Sequence, residues 1–166
     1  MQTQGYSRVP ITKRDGTVRA HVLVDDDMVD EVQRWCWQID GWGYVRRNRY
    51  VAGTGGKYET LLLHRVVLGL ERGDERVVDH VNRDTLDNRR SNLRIVTVAQ
   101  NGQNVSAQRG SSSRFRGVSW DSRRKRWLAF ACFGGKMHVV GYFRDEDEAG
   151  AAAVAWRREN MPYATD

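Results

Sequence analysis

A short segment of small and polar residues divides this chain, and it limits what either side can fold into. Residues 106–112 read Ser-Ala-Gln-Arg-Gly-Ser-Ser, a composition typical of a flexible linker. The chain has 166 residues, enough for one ordinary domain or for two small ones with modest cores. We therefore expect separate folded parts on the two sides of this segment.

The first sixty residues have the pattern of a β-rich region. Residues 9–24 form a predicted hairpin around Asp15-Gly16, a strong turn signal, and residues 44–63 form a second hairpin around a glycine-rich turn. This region is therefore expected to consist mainly of strands.

A short helix and a strand are predicted between the two hairpins. Three consecutive aspartates precede residues 28–34, and acidic side chains favour the first turn of a helix because its N-terminal end is positive. Trp35, Trp37 and Ile39 then alternate, as on a strand with one buried face.

The centre of the chain has the pattern strand, loop, strand, helix. Residues 76–80 form a short apolar strand, and a polar loop leads to a second strand over residues 92–96. Thr97 and Gln100 have the spacing of a capping box, which predicts a helix beginning there with Asn101 in its first turns.

Beyond the linker, three strands and one helix form a plausible small unit. The strands are predicted over residues 114–120, 126–133 and 136–143. Asp145 then precedes an alanine-rich helix, with Glu148 at the capping-box position.

The composition favours an anionic partner. Basic residues outnumber acidic ones 27 to 21, and the net charge is +6. Nucleic acid is the commonest partner of such a chain, and a soluble protein that is merely basic is the alternative. Cys36 and Cys132 are far apart and belong to no metal-ligand pair, so a structural zinc or a disulfide framework is not expected. With no long apolar run and no signal-peptide pattern, we expect a cytoplasmic protein without a membrane partner.

The second predicted hairpin is basic. Arg46, Arg47 and Arg49 lie on its first strand. They can contact DNA phosphates, or they can form a solvated face; the sequence leaves both open.

The most informative segment covers residues 77–104. His80 and Asn92 are twelve positions apart, and Asn92 and Asn101 are nine apart. The pattern resembles the HNH endonucleases, in particular phage and intron homing endonucleases with a ββα-metal core. The matching pieces are Leu63-His64-Arg65, Asp79-His80, Leu86-Asp87-Asn88, Asn92-Leu93-Arg94 and Asn101.

The chemistry of phosphodiester hydrolysis agrees with this resemblance. An imidazole can take a proton from water near neutral pH, so His80 is the candidate general base. Asp79 and Asn101 offer oxygen ligands for one divalent cation, and their chemistry suits magnesium or manganese better than zinc. As the resemblance implies, Asn92 braces the loop and holds the His80 ring.

The sequence departs from the commonest family pattern at one position. Many members have a final histidine at the position of Asn101. The asparagine of this chain offers an oxygen instead, which favours cations that prefer oxygen ligands. For His64, Asn82, Asn88 and Asn104 we expect structural roles, because asparagines are frequent in loops and single histidines are more often structural than catalytic.

The C-terminal part resembles a second family, the APETALA-type domain of plant ethylene-response factors. Such domains place a three-stranded sheet in the major groove of DNA. Arg116 matches one of their DNA-contacting arginines, whereas Ser119 and Val139 replace usual contact residues. The following basic turn can supply phosphate contacts instead: Arg123, Arg124, Lys125 and Arg126.

The sequence thus predicts an α+β protein with four parts. These are a β-rich region (1–60), a ββα-metal HNH core (61–105), the linker (106–112), and a three-stranded antiparallel sheet packed on one helix (113–166). The predicted function is a magnesium- or manganese-dependent endonuclease that nicks double-stranded DNA. It would act as a monomer, without a protein partner, in a bacterial or phage-infected cell. A catalytically inert DNA-binding regulator is the alternative, and an RNA-binding module is a weaker one.

Overall fold

A computed structural model describes residues 5–71, 73–107 and 110–165 of the protein. The chain forms two compact units, Met1–Thr97 and Val98–Asp166. The division assigns Asn101 to the second unit. Residues 108 and 109 of the predicted linker lie outside the described residues, and the linker stays a prediction.

The first unit begins with the predicted hairpin. Strand β1 (Tyr6–Thr12) pairs antiparallel with β2 (Val18–Asp25). A 3-10 turn (Asp26–Met28) and helix α1 (Val29–Arg34) follow, as the acidic run predicted. Val9 and Ile11 of β1 and Val22 and Val24 of β2 alternate with more exposed residues and are buried in one core, so part of one face of the hairpin is covered.

A three-stranded antiparallel sheet comes next. It consists of β3 (Gln38–Ile39), β4 (Val45–Tyr50) and β5 (Tyr58–Leu62), and helix α2 (Leu63–Val67) follows directly.

The prediction that Trp35 begins a strand with one buried face is wrong. Trp37 is 3% exposed, whereas Trp35 is 45% exposed. Trp35 is the C-cap of α1, so the chain changes direction there and the alternation begins only afterwards. The Arg47 guanidinium lies over the Trp35 ring at 4.4 Å from its centroid.

A two-stranded ribbon completes the first unit. Strand β6 (Val77–His80) pairs antiparallel with β7 (Leu93–Val96). The second strand of the ribbon begins one residue later than predicted, because Asn92 is the last residue of a 3-10 turn (Arg90–Asn92). The intervening loop is fixed to β2: Leu23 N donates to the Leu86 carbonyl and Asn88 N to the Leu23 carbonyl, both at 2.8 Å.

The core of the first unit is shared by these elements. Its buried members come from both hairpins, both helices and the ribbon: Val9, Ile11, Val22, Val24, Val32, Trp37, Val45, Leu63, Val67, Leu70, Val78 and Leu93. The ribbon is therefore held by packing contributed from distant parts of the sequence.

The second unit contains a three-stranded antiparallel sheet and a long helix. After the short helix α3 (Val98–Asn101) come β8 (Val118–Asp121), β9 (Arg126–Phe133), β10 (Lys136–Phe143) and α4 (Glu146–Asn160). The sheet order is β10-β9-β8, and α4 packs on it through Ala149 and Ala153. The Asp145 side chain caps α4 by accepting from the backbone of Asp147 and Glu148.

The first predicted strand of this unit begins four residues too early. Gly117 has φ +74°, and a Cβ there would lie 2.2 Å from the Phe130 carbonyl oxygen. This turn makes β8 begin at Val118. In the described part of the chain no helix is long and apolar enough to cross a membrane. The broad prediction of a mixed fold with several small sheets is confirmed.

Candidate active site

Asp79 and His80 are the last two residues of β6, and both are buried. Their strand is short, and the chain turns immediately after it: Arg83 N donates to the His80 carbonyl at 2.8 Å. Because adjacent strand residues point to opposite faces, one strand end presents a carboxylate on one face and an imidazole on the other.

The carboxylate of Asp79 is paired with Arg94 on the neighbouring strand. The antiparallel register sets these two residues directly opposite each other. Arg94 Nε donates to Asp79 Oδ2 at 2.8 Å, and Nη2 lies 2.6 Å from the same oxygen. A guanidinium that contacts a buried carboxylate offsets part of the cost of removing that carboxylate from water.

His80 lies in a small cluster of rings. The His64 ring packs edge-on at 5.2 Å between centroids, and the Tyr44 ring lies 6.0 Å from His80 and 5.3 Å from His64. Burial lowers the pKa of His80, while the nearby Asn88 side chain and the charge of Asp79 oppose that effect. The neutral imidazole needed by a general base is therefore favoured near neutral pH.

His64 is the more strongly perturbed histidine. Burial, together with the neighbouring His80 and Arg65, lowers its pKa to about 4. It is buried at the first turn of α2, which agrees with the structural role expected from the sequence. A neutral His64 adds no positive charge next to His80.

A pH titration should report this burial directly. The folded pKa of His64 is about 4 against 6.5 for the free side chain. The unfolded chain therefore binds more protons, and stability falls as pH falls from about 6.5 to 4, by about 3 kcal/mol for this group alone. Without divalent cations, we expect the ring carbon-bound proton resonance of His64 to titrate near pH 4 in NMR. The His64→Phe variant identifies that resonance and should show a flatter pH dependence of stability. Titration near 6.5 would contradict the buried position.

The loop between β6 and β7 is braced by Asn92. Its side-chain nitrogen donates to the Asp87 carbonyl at 2.7 Å, and its side-chain oxygen accepts from Asn82 N at 3.0 Å. Asp87 is itself buried and paired with Arg89, which lowers the pKa of that carboxyl. Since one buried amide ties both ends of the loop, Asn92 fixes the path of the chain that leaves His80.

The predicted cation ligands fall in different units. Asp79 lies on β6, whereas Asn101 is the last residue of α3 in the second unit. Within the described residues no group of three or more His, Cys, Asp or Glu side chains could hold a metal ion. The donors predicted by the sequence, one carboxylate and one amide oxygen, fit a hard cation whose other ligands are water and phosphate, and do not fit a closed zinc site.

The predicted DNA-contacting arginines of the second hairpin differ in exposure. Arg47 is only 8% exposed and pairs with Glu31 at 3.4 Å. Its guanidinium also lies over two tryptophan rings, so the predicted phosphate contact of Arg47 is not supported by its position. Arg46 is partly buried, whereas the Arg49 side chain is 55% exposed and paired with Glu59.

The basic residues of the second unit lie mostly at its surface. Arg123, Arg124 and Lys125 are exposed in the turn between β8 and β9, whereas Arg126, the first residue of β9, is only partly exposed. Arg116 is partly buried, and its guanidinium donates to the Gln103 carbonyl at 2.6 Å.

Several residues of the site were not predicted to be functional. Asn88 was expected to be an ordinary loop residue, yet it is 1% exposed and contacts His80. Tyr44 and Arg94 also enter the site. The register of β6 and β7 was the available signal for Arg94, because pairing of their ends sets it against Asp79.

Comparison with known proteins relates the segment that carries this site to a nuclease family. Residues 61–103 match the family model described as HNH endonuclease, a match that contains all four residues proposed for catalysis or cation binding. The match covers about a quarter of the chain, the part that contains β6, β7 and α3.

One relative is a phage protein. The chain is 29% identical over 79 residues to Protein 3.8 of Escherichia phage T7. The aligned region covers 48% of this chain and 61% of that protein. No solved structure matches the chain significantly.

Proposed function

We propose that this protein is a divalent-cation-dependent endonuclease of the homing HNH type that hydrolyses one phosphodiester bond of double-stranded DNA. The observation that carries the proposal is the end of β6, where the buried residues Asp79 and His80 follow each other inside the segment that matches the HNH family. Burial lowers the pKa of His80, which favours the neutral imidazole. The braced loop after them keeps this geometry fixed before DNA arrives.

In the proposed reaction His80 takes a proton from the attacking water. Its lowered pKa keeps the imidazole neutral at physiological pH. Asn88, anchored by a 3.0 Å bond from its side-chain nitrogen to the Thr85 carbonyl, supports the ring on one side. The rings of His64 and Tyr44 pack against the His80 ring, so the base is positioned in advance.

Asp79 and Asn101 would hold the cation, and Asn92 serves only as a brace. When bound, the cation supplies charge neutralisation at the phosphate and at the departing 3′ oxygen. Oxygen donors favour magnesium or manganese over zinc for this role.

We further propose that residues 113–166, within the second unit, form an APETALA-type module that positions the nuclease on DNA. The face of its sheet opposite α4 carries exposed apolar side chains, among them Val139 and Tyr142. The Arg124 guanidinium lies 4.7 Å from the centroid of the Tyr142 ring. A basic and aromatic surface of this kind suits contact with phosphates and bases. The turn arginines, and Arg116 when released from Gln103, are the proposed contacts.

Plasmid cleavage tests the proposal. One candidate active site predicts one cut per bound monomer, so supercoiled plasmid should become nicked circles with magnesium or manganese before linear DNA appears. EDTA should abolish the reaction. Activity with zinc but with neither of these ions contradicts the assignment. Binding without any cleavage by the parent protein would instead favour the inert regulator.

A further inference from the structure

Arg94 is paired with the Asp79 carboxylate, the group that the proposed function assigns to the cation. Two of its side-chain nitrogens, Nη2 and Nε, lie 2.6 and 2.8 Å from a single oxygen of Asp79, Oδ2. The Asp79 side chain is 7% exposed and that of Arg94 is 24% exposed. A buried anion is thus neutralised by a partly exposed cationic partner.

The Arg94 guanidinium is not expected to stay beside Asp79 once a divalent cation is bound there. A doubly charged ion at Asp79 and a guanidinium less than 3 Å from the same carboxylate repel each other strongly where water is scarce. Arg94 also has an exposed side to move towards. Its planar fork of donors matches two phosphate oxygens as well as it matches a carboxylate.

We propose that Arg94 exchanges partners during the reaction cycle. Without a cation it holds and neutralises Asp79; when the cation and DNA bind, it leaves Asp79 and contacts a non-bridging oxygen of the bound phosphate. Arg94 is then a substrate-binding residue, and in the resting protein it competes with the cation. This inference rests on the proposed function, because it takes Asp79 as a cation ligand.

Manganese binding without DNA separates this role from a purely structural one. If Arg94 only orients Asp79, Arg94→Gln should bind manganese more weakly than the parent or equally well. If it competes with the cation, Arg94→Gln should bind manganese about tenfold more tightly, since a neighbouring positive charge has been removed. Free manganese measured by electron paramagnetic resonance gives the affinity independently of cleavage.

The salt dependence of DNA binding tests the second half of the exchange. We would measure it with a short random-sequence duplex in the His80→Ala background, which prevents cutting. With calcium present, Arg94→Gln should lower the slope of log K against log salt by about 0.9, the value for one lost phosphate contact. With EDTA present, the slope should equal that of the parent background, because Arg94 is then held by Asp79.

Two further variants keep the test decisive. Arg94→Lys retains the charge and should keep the parent slope in calcium, which guards against a folding defect in the glutamine variant. Arg90→Gln removes a similarly exposed arginine that pairs with Asp25, and it should change neither measurement.

Weaker or unchanged manganese binding by Arg94→Gln overturns the exchange. So does a slope that is unaltered in calcium or altered equally in EDTA. A parent protein that fails to nick plasmid with any divalent cation counts against the proposed function instead, so the two failures are distinguishable.

Discussion

Replacement of His80 by alanine is expected to lower plasmid nicking by about 10²–10⁴-fold, the usual contribution of a positioned general base, while DNA binding is retained. The reason is local: the variant removes the one imidazole that stands next to Asp79 at the end of β6. Nicking rates at saturating protein, together with a binding assay on the same DNA, measure the two effects separately.

Chemical rescue distinguishes a lost base from a damaged fold. The variant leaves a space beside the rings of His64 and Tyr44, and imidazole added to the solution should partly restore nicking there. His21→Ala, which removes a histidine of β2, is the matched control and should nick like the parent. Full activity of His80→Ala would remove His80 from the mechanism.

Replacement of Asp79 by asparagine is expected to have an effect of similar size, but through the cation. The substitution removes the negative charge while keeping the shape, so manganese affinity should fall at least tenfold and nicking by about 10²-fold or more. The amide also removes the carboxylate charge with which the Arg94 guanidinium is paired. Manganese titration without DNA should therefore show the loss directly.

Asp84→Asn is the control for this second prediction. Asp84 belongs to the same loop, its charge acts on His80, and its side chain accepts from Leu86 N at 2.9 Å. It is exposed and is not among the proposed ligands. If Asp84→Asn abolishes manganese binding and Asp79→Asn does not, the ligand has been assigned to the wrong carboxylate.

The elements that local chemistry determines were predictable from the sequence. Turn residues such as Asp15-Gly16 and the Asp145 cap act over a few positions, and both lie where the sequence predicted them. The end of β6 at Asp79-His80 was also predictable, because an apolar run stops there.

Contacts between distant residues were not predictable in the same way. Arg47 pairs with Glu31 of α1, and its guanidinium lies over the rings of Trp35 and Trp37. These contacts depend on how α1 packs on the sheet. The ring contact of His64 with His80 joins residues sixteen positions apart, from a helix and a strand. No periodicity within either segment reports such a contact, so the surroundings of the proposed base could be found only in three dimensions.

The attachment of the active-site loop to β2 has an evolutionary consequence. Residues 61–103 match the nuclease family, yet Leu86 and Asn88 are hydrogen-bonded to Leu23, far outside that match. A gene fragment limited to the matched residues would lack the strand on which its own loop rests. Recombination that transfers this catalytic segment between proteins must therefore bring the N-terminal hairpin along, or supply an equivalent strand in the recipient.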